Sequence, residues 1–113
     1  MTDKTPVSVT DTAAEAIRDL NHLTPDLQYP GDAYSTVANL SALAMRLPQA
    51  LEQIAAFVKG LEEQGRLRSD KDTLDEDLAA TYAGLNVAAA AAQTLYGALD
   101  QAHQGLGPVA YKD

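Results

Sequence analysis

Eight apolar residues, Val37, Leu40, Ala44, Leu47, Leu51, Ile54, Val58 and Leu61, recur at alternating spacings of three and four. This seven-residue repeat is the signature of helices packed side by side at a shallow angle. A chain carrying it must also supply a second apolar row. Leu78, Leu85, Ala92 and Leu99 form that row, with Leu95 and Ala102 on the adjacent line and Tyr82, Ala89, Tyr96 and His103 beside it. The spacing predicts two helices, about 33–64 and about 73–104, each roughly 45 Å long. Near-equal length and a short connection imply an all-α fold built on an antiparallel hairpin.

Composition agrees. Of the 113 residues, 21 are Ala and 15 are Leu, the two best helix formers, against eight Val and Ile. Asp32 is a candidate N-cap for the first long helix. Pro48 lies inside the repeat without shifting its phase, which favours one kinked helix over two unrelated ones. Gly65 is a natural C-cap, because it accepts a left-handed backbone. Thr73-Leu74-Asp75-Glu76 reads as a capping box, and Gly105 followed by Gly107-Pro108 closes the second helix. Gly84 and Gly97 admit two readings: close helix approach along the Ala88–Ala92 run, or a compositional bias toward small residues.

Upstream, Thr12-Ala13-Ala14-Glu15 reads as another capping box, and Ala13, Ile17, Leu20 and Leu23 follow at helical spacing. This predicts a short helix, about 12–23, too short to stand alone and therefore expected to dock on the hairpin. Pro25, Pro30 and Gly31 break the connector. Residues 1–10 read as a disordered arm, 11–106 as a single helical domain and 107–113 as a flexible tail.

Cysteine is absent, so disulfides, thiolate metal sites and a Cys nucleophile are excluded. A net charge of −8 argues against general binding to nucleic acid or anionic membranes. Met1–Thr10 has no apolar core and does not read as a signal peptide. The uncharged stretch Leu78–Leu99 is long enough to span a bilayer. However, Asn86 and Gln93 continue into Asp100 at seven-residue spacing, a polar stripe that belongs to an amphipathic helix. The expected location is cytoplasmic, with a signal-peptide-independent export route left open.

Candidate sites resolve into structural readings. His22 and His103 stand 81 residues apart with no metal-ligand spacing, and His103 suits the negative end of a helix dipole. Asp70, Asp72, Asp75, Glu76 and Asp77 invite comparison with a calcium loop. Counted from Asp70, that loop needs an oxygen ligand fifth, Gly sixth and Glu twelfth, where Leu74, Asp75 and Thr81 stand. At the hairpin tip, Arg66, Arg68 and Lys71 with Lys59 form a small basic group that could contact nucleic acid or a phosphate, the reading of a nucleic-acid-contacting accessory protein. Glu62, Glu63, Asp70 and Asp72 interleave with them, and Lys59/Glu63 and Glu62/Arg66 are spaced as surface ion pairs. No nucleophile, phosphate-loop, dinucleotide or metalloprotease motif occurs. The expectation is a non-enzymatic protein without cofactor or metal.

The apolar stripes are wider than one seam. Leu43, Ala50 and Phe57 widen the first helix, and Tyr82, Ala89 and Tyr96 widen the second. Excess apolar surface of this kind marks an interface. It points to a homodimer forming a four-helix bundle, with Leu51, Phe57, Leu85 and Tyr96 in or near its core, or else to another helical protein as partner.

Two resemblances can be stated. The run Leu47–Ala56, then Gly65-Arg66-Leu67-Arg68, then Ala98–Gln104 resembles small all-helical actinobacterial proteins over residues 37–106, which implies a hairpin and no particular activity. The length, the hairpin layout and Tyr96-Gly97-Ala98-Leu99-Asp100 are similar to the Trp-Xaa-Gly helical hairpins exported by type VII secretion, whose signal is Tyr-Xaa-Xaa-Xaa-Asp/Glu. That resemblance implies export dependent on Tyr96 and Asp100. The turn here is Gln64-Gly65-Arg66, and the chain has no Trp.

Overall fold

A computed structural model describes residues 4–112. These form α1 (Pro6–Leu23), a 3₁₀ turn (Thr24–Asp26), α2 (Pro30–Glu63) and α3 (Leu74–Leu106), with no strand among the described residues. α2 and α3 pack against each other along their length. Tyr34 meets His103 at the open end and Glu62 meets Tyr82 near the tip, so the pair is antiparallel.

The helix ends show where local chemistry overrides the expected boundaries. α1 starts at Pro6, not Thr12. Thr5 and Ser8 form the capping box, with side-chain-to-backbone bonds in both directions, and Pro6 opens the helix where a missing N–H costs nothing. The Thr12 hydroxyl donates to the Ser8 carbonyl inside the helix. Of the expected arm, residues 1–3 lie outside the described residues, and Pro6–Thr10 is helical.

α2 starts at Pro30 behind an extended Tyr29 that makes no side-chain cap. Asp32 sits in the first turn, where its carboxylate faces the positive end of the dipole. The helix runs undivided through Pro48. At its far end Gly65 adopts φ 66°, Arg66 N–H donates to the Leu61 carbonyl at 3.1 Å, and Gly65 N–H donates to Glu62 at 2.9 Å. Those two bonds close a Schellman motif, as the Gly65 reading requires.

Thr73 is not a side-chain cap: its hydroxyl donates to the Asp77 carboxylate at 3.1 Å. Gly105 stays inside α3, and Gly107, with an ordinary helical φ of −51°, stands at the cap ahead of Pro108.

The seam between α2 and α3 is built from smaller residues than the heptad suggests. Ser41, Ala44 and Pro48 are buried on α2, and Leu78, Ala89 and Ala92 on α3. Half-buried residues extend the line. On α2 it reads Tyr34, Val37, Ser41, Ala44, Pro48, Leu51, Ala55, Val58 and Glu62. On α3 it reads Leu78, Tyr82, Leu85, Ala89 and Ala92, then Leu99, His103 and Leu106.

The expected row is therefore partly displaced. Ala44 is buried and Val37, Leu40, Leu51, Val58 and Leu61 are half-buried, but Leu47 and Ile54 are exposed. On α3, Tyr82 and Ala89 are seam residues, and Leu95 is outside. The cause is size. Neighbouring rows differ by about 100° around the axis, and the row with Ser41, Pro48 and Ala55 brings the helix backbones nearer than a row of leucines.

α1 does not dock. Among the described residues it packs on neither α2 nor α3 and touches only the turn that follows it. Leu23 and Val9 are exposed, and no residue of α1 is buried. An amphipathic helix tied to extended Tyr29 and Pro30 is thus held away from the hairpin. The molecule spans 66 × 35 × 22 Å, and its radius of gyration is 18.9 Å, where a compact chain of this length has about 13 Å.

Candidate interaction surface

The hairpin has two unlike sides. One carries a groove lined by Leu51, Glu52, Ala55, Tyr82, Leu85, Asn86 and Ala89, which places Glu52 and Asn86 on the same side. Gln93 and Asp100 continue the Asn86 line at seven-residue spacing. This side is polar. On α2, Leu40, Leu43, Leu47, Ala50, Ile54, Phe57 and Leu61 lie about a quarter-turn round from the seam in the opposite sense. Leu95 and the half-buried Ala88 lie on that same side of α3. This side is apolar. Phe57 is 67% exposed, Ile54 and Leu95 are each 48% exposed, and Leu43 is 38% exposed.

Charge reinforces the division. α2 carries one charged residue, Arg46, between Asp32 and Glu52, and α3 carries none between Asp77 and Asp100. Among the described residues, no cation lies within ion-pair distance of a carboxylate in this middle zone. Among the described residues the ion pairs are Arg18–Glu15, Lys59–Glu62 and Arg68–Asp70, all outside it.

One polar cluster sits in the seam near the tip. The Tyr82 hydroxyl donates to Glu62 Oε1 at 2.7 Å, Lys59 Nζ stands 3.6 Å from the same oxygen, and Lys59 lies 5.4 Å from the Tyr82 ring centre. Desolvation against α2, and then the Glu62 carboxylate, push the Tyr82 phenol up to about 12. Lys59 pairs with Glu62 one turn away, not with Glu63. Arg66 reaches Gln64 at 3.5 Å, not Glu62. Glu62 as a seam residue was hidden by its charge, although it continues the spacing that begins at Tyr34.

The residues singled out by sequence separate. Leu51 and Leu85 belong to the hairpin seam and are half-buried there, Phe57 projects from the apolar side, and Tyr96 stands at the edge of the seam, 36% exposed. Sequence had placed Leu43 and Phe57 in the widening row and Leu95 beside the α3 line. It had put Leu47 and Ile54 inside the seam.

At the tip, Arg68 pairs with Asp70 at 2.9 Å in full solvent, and the shallow cleft beside it is lined by Ser69, Asp72, Asp75 and Glu76. Arg66 and Lys71 are exposed beside these carboxylates, so the tip presents mixed charge. Among the described residues, no three His, Asp or Glu groups converge on a point that could hold a metal.

His103 faces inward at the open end, its ring stacked on Tyr34 at 4.1 Å and 10°. Asp100 accepts from Gln104 at 2.8 Å on the same helix as Tyr96. A Cβ added at Gly84 or Gly97 meets open space, so close helix approach does not explain either glycine.

No protein-family model, curated protein or solved structure matches this chain. No helix among the described residues is long and apolar enough to cross a membrane.

Proposed function

We propose that the chain is a non-enzymatic helical interaction protein whose working surface is the apolar side of the hairpin, and that it self-associates through that side. One observation carries the reading. The chain exposes 8823 Å², where a compact monomer of 12.0 kDa exposes about 6,000 Å². The surplus is far larger than the ~800 Å² each partner contributes to an interface of standard size. Part of it is the undocked α1, none of whose residues is buried, and part is the row of large apolar side chains on α2. No large side chain is fully buried in the hairpin's own core, and Leu47, Ile54 and Phe57 stand exposed beside it.

Sedimentation equilibrium across a wide concentration range tests this. The expected result is a concentration-dependent dimer that Phe57→Asp disperses while far-UV helicity is kept. A well-folded 12.0 kDa species at every concentration would overturn self-association.

A further inference from the structure

We infer that the apolar side is filled by a second copy of this chain, lying antiparallel along α2 about a two-fold axis beside Ala50. The inference rests on the reading above and gives it a register. Leu40, Leu43, Leu47, Ala50, Ile54, Phe57 and Leu61 are close to palindromic about their middle. The midpoint of Leu47 and Ile54 falls between Ala50 and Leu51, as does that of Leu40 and Leu61. The midpoint of Leu43 and Phe57 is Ala50 itself. A perpendicular two-fold there sets Leu47 against the partner's Ile54 and Leu43 against the partner's Phe57.

Side-chain volume follows the same geometry. Two helices crossing at a shallow angle are nearest at the crossing and diverge from it. The smallest member of the row, Ala50, is at the centre. Leu and Ile come next, and Phe57 stands farther out. A two-fold contact is self-complementary, so one row must supply both surfaces, and this row does.

Charge permits the pairing despite the net charge of −8: Arg46, the one charge in the middle of α2, flanks the row, and about an axis at Ala50 its two copies stand about 12 Å apart along the helix. Glu52 points to the polar side with Asn86, and the remaining carboxylates of the hairpin lie toward its two ends. No carboxylate is brought face to face with another along the row.

The area also suffices. From Leu40 to Leu61 the row is about 32 Å long, and two helices give a width of about 18 Å, so each copy offers roughly 550 Å². The pair then buries about 1,100 Å², above the ~1,000 Å² expected of a specific interface.

The other available occupant is α1 of the same chain, and it is too short. Its 18 residues make about 27 Å of helix. The row from Leu40 to Leu61 is about 32 Å long, so wherever the connector 24–29 sets α1, one end of the row stays bare.

The cysteine-free chain allows a direct test by single-cysteine cross-linking under mild oxidation. Ala50→Cys is expected to cross-link to itself. Leu43→Cys alone and Phe57→Cys alone place their thiols about 21 Å from their own symmetry mates and are expected not to, because a disulfide needs Cα atoms within about 7 Å. Mixing those two variants is expected to raise the covalent dimer several-fold over either alone. The pair Leu47→Cys with Ile54→Cys gives the same readout without touching Ala50, should a change at the axis weaken folding. A dimer by sedimentation in which neither the Ala50 variant nor the mixed pairs cross-link overturns the register and leaves self-association standing. So does self-cross-linking of Phe57→Cys. A monomer at all concentrations overturns both.

Discussion

Tyr82 and Glu62, 20 residues apart in the chain, share a 2.7 Å hydrogen bond that ties the two long helices together near the tip. The acceptor is a carboxylate, so the bond exists only while the phenol keeps its proton. Tyr82 is raised to about 12 in the folded chain from an ordinary 10.0. Below pH 10 both folded and unfolded phenols are neutral, and the stabilisation is complete. Between 10 and 12 the unfolded phenol ionises first, so the stabilisation falls as pH rises and is gone above about 12. Absorbance titration near 295 nm should show one late-titrating phenol that disappears in Tyr82→Phe. The loss of stability over that interval should be smaller in the variant.

Pro48 sits buried in an undivided helix and denies the Ala44 carbonyl its usual donor. In Pro48→Ala that donor is restored and the ring clash removed, a gain of about 3 kcal/mol. Loss of the buried ring offsets part of this, by about 1–2 kcal/mol. The expected net effect is a stabilisation on the order of 1 kcal/mol with helicity kept, read as a rise of several degrees in Tm by circular dichroism. A fall in Tm would show that the ring's packing in the seam outweighs the missing hydrogen bond.

Gly97 and Gly65 should respond in opposite directions to the same substitution. Gly97 is helical with open space where a Cβ would go, so Gly97→Ala is expected to stabilise by about 0.5–1 kcal/mol. Gly65 is held at φ 66°, which a Cβ strains, so Gly65→Ala is expected to cost about 1 kcal/mol. Paired urea melts measure both changes.

Removal of residues 1–27 should leave the hairpin intact, since α1 packs on neither long helix. In the Phe57→Asp background, where self-association is removed, the shortened chain is expected to melt within a few degrees of the full-length one. A large drop would mean that α1 covers part of the apolar side in solution.

The hairpin was legible because a three-four spacing sustained over two long stretches has few other solutions. The choice of row was not. Leu40, Leu47, Ile54 and Leu61 have the same spacing as Ser41, Pro48, Ala55 and Glu62, and hydrophobicity favours the first set. Packing of two helices on each other favours the second, because small residues let the backbones approach. Leu47 and Ile54 were thus expected in the seam, where they are not, while Leu43 and Phe57 were already legible as an extra stripe. α1 failed differently. Its periodicity shows that one side is apolar, but not what covers it. Its start was missed because Thr12 and Glu15 imitate a cap, while Thr5 and Ser8 form one without the usual acidic residue.

The antiparallel hairpin also sets an order in time. Near the tip, Glu62 and Tyr82 are separated by a short span of chain, whereas at the open end the Tyr34–His103 stack closes a span about three and a half times longer, at an extra entropic cost of about 1 kcal/mol if formed first. Contacts near the tip shorten the loop that remains for each later pair. Folding should therefore begin beside the Gly65 turn and close like a zip toward Tyr34, and unfolding should run back the same way. The last contacts made are at the end from which α1 is tethered.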